Sequence, residues 1–475
     1  MAHYDRLTAL DASFLHLENI ETPMHVGAVT TFEGAPFIDG SGRFKLAEVR
    51  RLVDSRLHLI PRFRKRLMTV PFDQGRPIWV DDDRFDIAFH VRLTALPAPG
   101  DREQLLALAA RVQTQMLDRT RPLWELWFVD GLEGGKVGLI QKTHHSLVDG
   151  VSGVDVATVL LDFTREPNPV SSPEWIAEPP PESGRLLADS LLERVREPTE
   201  IVRSVRSAVR APHRALERAT QLRRAVSSFV GSDTMVQPTS LNVLVGSRRR
   251  IEGVSVSLAD IKVIRNALGG TVNDVVLAGV AGALRRLFES RGEEVSSGLL
   301  RVLCPVSVRA DSEHMQLGNR VSAMFVDLPI GVEDARVRLA AVSATTSDLK
   351  ESEQAVGAAF LLDLTQYAAP TLLDLAARLV ARQAIVHLVV TNVPGPQVPL
   401  YCMGARMIEA YPIVPLSRNL SLGIAVLSYC GHLQFGLNVD PDAFQDLDLF
   451  TAALEESFAE LTKCALESDV AIDEE

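Results

Sequence analysis

Six prolines between positions 167 and 181 (Pro167, Pro169, Pro173, Pro179, Pro180 and Pro181) interrupt the chain where neither a helix nor a central strand can persist. A chain of 475 residues is already long for one core, because cores stop growing near roughly 250 to 300 residues and longer chains divide. Together these features predict an N-terminal domain over residues 1–165, a linker over 166–239 and a C-terminal domain over 240–475. After the prolines, the linker turns helical and basic. Arg203, Arg206, Arg210, Arg214 and Arg218 recur at spacings of three and four and gather on one face, while Val202, Val205, Val209 and Leu216 can form another.

Both halves read as mixed α/β. In the first, a strand is predicted over Val26 to Phe32, and helices over Leu46 to Leu57 and Glu103 to Leu117. Two apolar runs, Leu126 to Leu132 and Val137 to Lys142, flank Glu133-Gly134-Gly135-Lys136, a glycine pair that signals a hairpin. A helical run from Val151 to Phe163 follows. The second half predicts a helix over Leu258 to Leu268, a Gly269-Gly270 break and a long helix from Asn273 to Ser290. Strands are predicted over Leu299 to Val308, Val321 to Leu328 and Ala384 to Val390, then a hairpin of Ser421 to Tyr429 and Leu433 to Val439.

Charge and cysteine usage narrow the function classes. The net charge is −12, with acidic residues crowding the C-terminus from Glu455 to Glu475, which argues against nucleic acid as a partner. Cys304, Cys402, Cys430 and Cys464 lie far apart with no C-x-x-C spacing, so neither a zinc ribbon nor a disulfide framework is indicated, and a reducing cytoplasm fits. The N-terminal residues lack the layout of a signal peptide. The longest charge-free stretch, Asn419 to Val439, contains His432, Gln434 and Asn438 and is broken at Cys430-Gly431, so it reads as a hairpin and not as a membrane span.

One segment carries chemistry. His144-His145-Ser146-Leu147-Val148-Asp149-Gly150 sits where the first hairpin's second strand ends and a loop begins, a place where a reactive side chain is exposed on a rigid support. An imidazole titrating near neutrality can take a proton from a hydroxyl as that hydroxyl attacks a carbonyl. Alternation along a strand aims adjacent histidines in opposite directions, so only one of His144 and His145 faces a given cleft and the other is packed. Asp149, four residues on, reads as architectural, through backbone or arginine contacts or as a helix cap. Two histidines and a distant aspartate do not complete a metal site, and none is expected.

The same residues carry a family resemblance. H-H-x-x-x-D-G resembles the active-site signature of wax ester synthase/diacylglycerol acyltransferases, which are related to condensation domains and chloramphenicol acetyltransferase-like enzymes. The motif alone does not separate these groups. Leu10 to Leu15, Pro23-Met24-His25-Val26-Gly27, Arg121-Pro122-Leu123-Trp124, Thr271-Val272-Asn273-Asp274, Pro305 to Arg309, Leu317-Gly318-Asn319-Arg320 and Thr391 to Pro396 all resemble segments of that first family in matching order. They cover the chain almost end to end.

The resemblance implies an α/β fold of two chloramphenicol acetyltransferase-like domains, mixed sheets flanked by helices, with an active-site tunnel at their interface. It implies His145 as general base, His144, Asp149 and Gly150 completing the motif, Asn273 as an oxyanion-stabilising or positioning residue, and Pro122, Leu123, Trp124, Thr391 and Asn392 against substrate. The residues also admit plainer readings: Asn273 as a helix cap, Trp124 as core filler, and Asn392 to Pro396 as a rigid turn. No cofactor is expected. Acyl-CoA is the co-substrate, diacylglycerol or a fatty alcohol the acceptor, and no G-x-S-x-G elbow suggests an acyl-enzyme. The expected activity is acyl-CoA:diacylglycerol O-acyltransferase, with wax ester synthesis beside it. Its alternatives are a non-catalytic lipid-binding or lipid-droplet protein and a condensation-type enzyme using carrier-bound acyl groups. The arginine-rich helix reads either as a connector or as a peripheral contact with a membrane's inner face or a droplet surface.

Overall fold

A computed structural model of the chain describes residues 4–147, 159–166, 173–196, 236–295, 298–307, 321–351 and 385–473. In chain order the strands are β1 Asp5–Arg6, β2 His25–Glu33, β3 Lys65–Met68, β4 Ile78–Asp81, β5 Val91–Ala95, β6 Trp124–Leu132, β7 Lys136–His144, β8 Arg250–Ser257, β9 Leu300–Ser307, β10 Val321–Leu328, β11 Leu388–Val393, β12 Tyr401–Cys402, β13 Ala405–Ile413, β14 Leu422–Tyr429 and β15 His432–Val439. The helices are α1 Ala9–Leu17, α2 Leu46–Arg56, α3 Ile87–His90, α4 Arg102–Thr114, α5 Ser183–Arg196, α6 Leu258–Leu268, α7 Val272–Ser290, α8 Ala335–Glu351 and α9 Leu447–Asp473.

Two six-stranded mixed sheets organise the chain, ordered β12-β13-β2-β7-β6-β5 and β10-β9-β11-β14-β15-β8, with a small β1-β4-β3 sheet beside them. Helix α4 covers one face of the first sheet through Leu105, Ala109 and Val112 against Val29, Val129 and Ile140. The opposite face packs Phe32, Phe128, Trp124 and Leu126 against Val49, Val53 and Phe63. In the second half, α7 is enclosed from Asp274 to Leu284, with Val275, Val276, Leu277, Val280 and Leu284 each 0% exposed among the helices and sheet residues of one core. That burial accounts for the helix's apolar composition. Among the described residues no single helix is long and apolar enough to cross a membrane, and the α6–α7 pair that passes by composition is bent by 99° at Gly269-Gly270.

Most predicted elements appear near their expected bounds. The hairpins are β6–β7 and β14–β15, the second turning through Cys430 and Gly431, both at positive φ (44° and 83°), a two-residue turn matched to the strands' twist. The strand predicted over Ala384 to Val390 begins later, at Leu388, and runs to Val393. The helical run Val151 to Phe163 falls largely outside the described residues, as do Arg203, Arg206, Arg210, Arg214 and Arg218 and the Leu317 to Arg320 segment.

Two features depart from a simple division at the linker. First, α5, within the predicted linker, packs onto the small sheet of the N-terminal half: Leu186 is 0% exposed against Val70, Ile78 and Val80, and the Tyr4 hydroxyl donates to Asp189 (2.7 Å). Second, β13 belongs by sequence to the C-terminal half yet pairs antiparallel with β2 of the first sheet, Tyr411 opposite Val29 and Ile413 opposite Gly27. It is also held from the second sheet, since Ala410 N–H donates to Gln434 Oε1 (2.6 Å) and Asn438 Nδ2 donates to Val414 O (2.8 Å). A swap of one strand thus joins the halves through backbone pairing.

The approach at this junction requires a missing side chain. A Cβ placed on Gly436 of β15 would stand 1.7 Å from the Pro412 carbonyl oxygen, a backbone atom that cannot swing aside. Gly436→Val should therefore lower stability by about 3 kcal/mol or more, the upper range for overpacking. Urea unfolding measures it, and an unchanged midpoint would show that β13 does not press against β15.

Candidate functional site

The site grows from the register of one strand pair. Strand β7 runs antiparallel to β2 so that His144 stands opposite His25 and Lys142 opposite Gly27. On the other side β6 places Glu125 opposite Lys142 and Trp124 opposite Thr143. His144, Lys142 and His25 are buried (0%, 0% and 2% exposed), and β7 ends at His144, passing into a 3₁₀ turn over His145–Leu147. His145 is therefore the first residue released from the pleat, partly exposed where its neighbour is sealed.

His145 is held at both backbone and ring. Its N–H donates to the Met24 carbonyl (2.8 Å), and its imidazole stacks on Phe14 of α1 with centroids 3.9 Å apart and planes 24° from parallel. His144, the last residue of the strand, turns into the protein. The Ser146 N–H donates to His144 Nδ1 (3.1 Å), and the Ser146 hydroxyl lies 2.7 Å from the same nitrogen. Nδ1 is thus an acceptor, which assigns the His144 proton to Nε2, 3.4 Å from Glu18 Oε2.

Glu18 is the charged centre beneath the motif. Its side chain is 1% exposed, and its oxygens lie near His25 Nε2 (3.3 Å), His144 Nε2 (3.4 Å) and Arg119 Nη2 (2.7 Å). The histidine contacts are at ion-pair distance without the alignment of full hydrogen bonds. Burial alone would raise the Glu18 carboxyl, but His144, His25 and Arg119 together hold it far below the usual carboxylate range. Burial pushes the His25 imidazole down, opposed by Glu18, while its Nδ1–H donates to Gln113 O (3.0 Å). Burial likewise brings the Lys142 amine down to about 8, opposed by Glu125, and that amine donates to the Gln115 carbonyl.

The remaining predicted residues fall in two places. Pro122, Leu123 and Trp124 are core residues: Leu123 is 0% and Trp124 1% exposed, the indole N–H donates to Phe63 O (2.8 Å), and the ring stacks on His90 with centroids 4.5 Å apart. Among the described residues, Trp124 touches the core partners Phe63, Phe85 and His90. Asn273 and Asn392 meet each other in the C-terminal half, where Asn392 Nδ2 donates to Asn273 Oδ1 (3.3 Å). Thr391 precedes Asn392 on β11, which pairs in parallel with β14.

Asn273 is not the cap of its helix. Thr271 is the cap and forms a capping box with Asp274, whose other oxygen accepts from the Thr346 hydroxyl (2.7 Å). This leaves Asn273 with no end-of-helix duty. Asp149 and Gly150 lie outside the described residues. A groove of about 810 Å³ in the C-terminal half, lined by Val256, Asp260, Phe458, Ala459 and Leu466, includes none of the predicted site residues. Phe14 and His25 sit inside segments that carry the resemblance, yet nothing in one sequence marks their roles. Glu18 gives no signal at all, since a glutamate after a helix reads as solvent-facing.

His90, buried against Trp124, supplies a test of this core. Its Nδ1–H donates to Trp124 O (2.8 Å), and burial pushes its imidazole from 6.5 down to about 4. Because the folded value lies below the unfolded one, the unfolded chain takes the proton first: this contribution to stability is full above about pH 6.5 and is lost as pH falls toward 4. His90→Gln should make the fall in unfolding free energy, read from urea curves between about pH 6.5 and 4, shallower by about 1.4 kcal/mol per pH unit. Parallel curves would show that His90 titrates normally.

Residues 7–276 match the wax ester synthase/diacylglycerol acyltransferase catalytic domain, and residues 317–462 match the C-terminal domain of the same family. A Mycobacterium tuberculosis protein named "probable diacylglycerol O-acyltransferase" is 32% identical over 467 residues, covering 96% of each chain. A second protein of that name and organism is 33% identical, over 96% of this chain and 98% of its own. The solved wax ester synthase/diacylglycerol acyltransferase from Marinobacter aquaeolei VT8 superposes with a TM-score of 0.67 at 27% identity, covering 97% of this chain and 99% of that one. The starter condensation domain of rhizomide synthetase, at 12% identity and a TM-score of 0.59 over 98% and 94% of the two chains, shares the fold. The chain belongs to the wax ester synthase/diacylglycerol acyltransferase family of O-acyltransferases.

Proposed function

We propose that this protein transfers a long-chain acyl group from acyl-CoA to the free hydroxyl of diacylglycerol, making triacylglycerol, with fatty alcohols as secondary acceptors. The observation that carries the reading is His145: a partly exposed imidazole at a strand end, braced by Phe14 and the Met24 carbonyl, beside a buried His144. A general base has to be both reachable and fixed, and this ring meets both conditions.

In this reading His145 removes the acceptor's hydroxyl proton as the oxygen attacks the thioester carbonyl. The tetrahedral intermediate then collapses, the carbon–sulfur bond breaks, and the thiolate takes the proton back from the imidazolium to leave as CoA. Charge on the intermediate's oxygen needs donors set in advance, worth roughly 3 to 4 kcal/mol for one well-placed group. Asn273 and the Thr391-Asn392 pair are the candidates. With Asn273 Oδ1 taken by Asn392, the Asn273 amide hydrogens, which no group among the described residues accepts, would serve an oxyanion. The two substrates would reach His145 from opposite sides of a tunnel between the halves.

Contact with an anionic lipid surface through Arg203, Arg206, Arg210 and Arg214 belongs to the same reading. Vesicle sedimentation at low salt with those four neutralised tests it, and unchanged binding would reject it.

Palmitoyl-CoA assayed side by side with diacylglycerol and hexadecanol tests the activity. His145→Ala should lower turnover by at least about a hundredfold with both acceptors while unfolding stays cooperative. Near-normal turnover in that variant would reject the base assignment, and equal background rates for both proteins would indicate a lipid binder without catalysis.

A further inference from the structure

The buried carboxylate under the motif is connected to His145 by three routes. In the first, Glu18 Oε1 accepts from the Met24 N–H (3.1 Å), and the carbonyl of that same residue accepts from the His145 N–H (2.8 Å). One residue thus transmits the position of the carboxylate to the backbone of His145. The second route runs through α1: Glu18 is its C-cap, its N–H donates to Phe14 O (3.0 Å), and Phe14 is the ring stacked on His145. The third is His144, whose Nε2 faces Glu18 while its peptide neighbour is His145.

The loop bearing Glu18 is itself fixed. Arg119 joins the Glu18 carboxylate to the Leu15 carbonyl of α1, using one nitrogen for both (2.7 and 3.0 Å). Asn19 Oδ1 accepts from the N–H groups of Glu21 and Thr22 (2.8 and 3.1 Å), and Arg249, from the C-terminal half, donates to Glu21 O. A carboxylate in so dry a place is costly unless its partners are fixed, and Arg119, tied also to the Leu15 carbonyl, is such a partner. None of them is part of the β2–β7 backbone pairing.

We propose that Glu18 is a positioning residue for the acyl-transfer step: its carboxylate, through Met24, α1 and His144, sets the plane and height of the His145 ring. The proposal rests on His145 as the base, and the experiment separates the two claims. Misplacing a catalytic group by about 1 Å can cost up to a hundredfold in rate without altering substrate affinity. Glu18→Gln keeps the size and one acceptor oxygen but removes the charge. Phe14→Leu removes the ring stack and leaves the carboxylate in place.

Full-length protein labelled with ¹⁵N in its histidines, together with steady-state kinetics on palmitoyl-CoA and diacylglycerol, provides the readouts. In the native chain the His144 ring should read as the Nε2–H form. In Glu18→Gln the ring signals of His144 and His145 should shift, and kcat should fall at least about tenfold while KM stays within about twofold. Phe14→Leu should lower kcat in the same direction and move His145 but not His144. Unmoved ring signals with kcat within about twofold of native in Glu18→Gln would overturn the proposal. So would a loss of thermal stability with normal kcat, since that is what a merely structural glutamate gives. Should Glu18→Gln fail to fold, Glu18→Asp and Phe14→Leu decide by the same signals. If the rings shift in Glu18→Gln while His145→Ala stays active, the base assignment fails and the brace stands.

Discussion

The antiparallel register between β2 and β7 is the constraint on which the site depends. Sliding that pairing by one residue would turn His144 out and His145 in, because successive side chains leave opposite faces. The register is fixed from both flanks, by β6 through Trp124 opposite Thr143 and by β13 through Ile413 opposite Gly27. The apolar residues on the two faces, Val29 and Ile140 toward α4 and Phe32 and Val137 toward α2, allow no alternative. The identity of the buried histidine is therefore a consequence of core packing. The motif reads as chemistry, but it is placed by hydrophobic alternation some residues upstream.

Burying His25, Lys142, His144, Glu18 and Glu125 close together looks unfavourable until the charges are matched. Lys142 lies between the Gln115 carbonyl and Glu125, and Glu18 faces Arg119 and two imidazoles. A polar layer of this kind adds little net stability compared with an apolar one, yet it defines a single arrangement, because any displacement strands a buried charge. A similar argument applies at the halves' junction, where Arg56 and Asp162 pair at 2.6 Å, both nearly sealed, and Asp162 exchanges backbone bonds with Tyr401. Rigidity here is a property of how polar groups are satisfied.

The legible parts of the fold are those governed by local rules. Turn residues, the Gly134-Gly135 pair and the Cys430-Gly431 break, announced both hairpins, and apolar periodicity announced α6 and α7. The place of His145 at a strand end was legible because the apolar run of β7 stops at the double histidine. What stayed hidden depends on contacts distant in sequence. The swap of β13 into the first sheet is decided by a partner nearly four hundred residues away in β2, and no local pattern records it. Helix α5 looked like linker because prolines precede it, but Leu186 finds a core among the strands of the small sheet. Glu18 became visible only when the fold brought α1, β2 and β7 together.

In the proposed reaction one fixed imidazole promotes direct transfer, with no acyl group ever resting on the protein. Rapid-quench mixing of the enzyme with labelled palmitoyl-CoA, first without acceptor and then with diacylglycerol, tests it most directly. With direct transfer, label moves only into triacylglycerol, and only once the acceptor is added, with no labelled protein at any time. A burst of CoA matching the enzyme concentration, with label retained on the denatured chain before acceptor arrives, would contradict it.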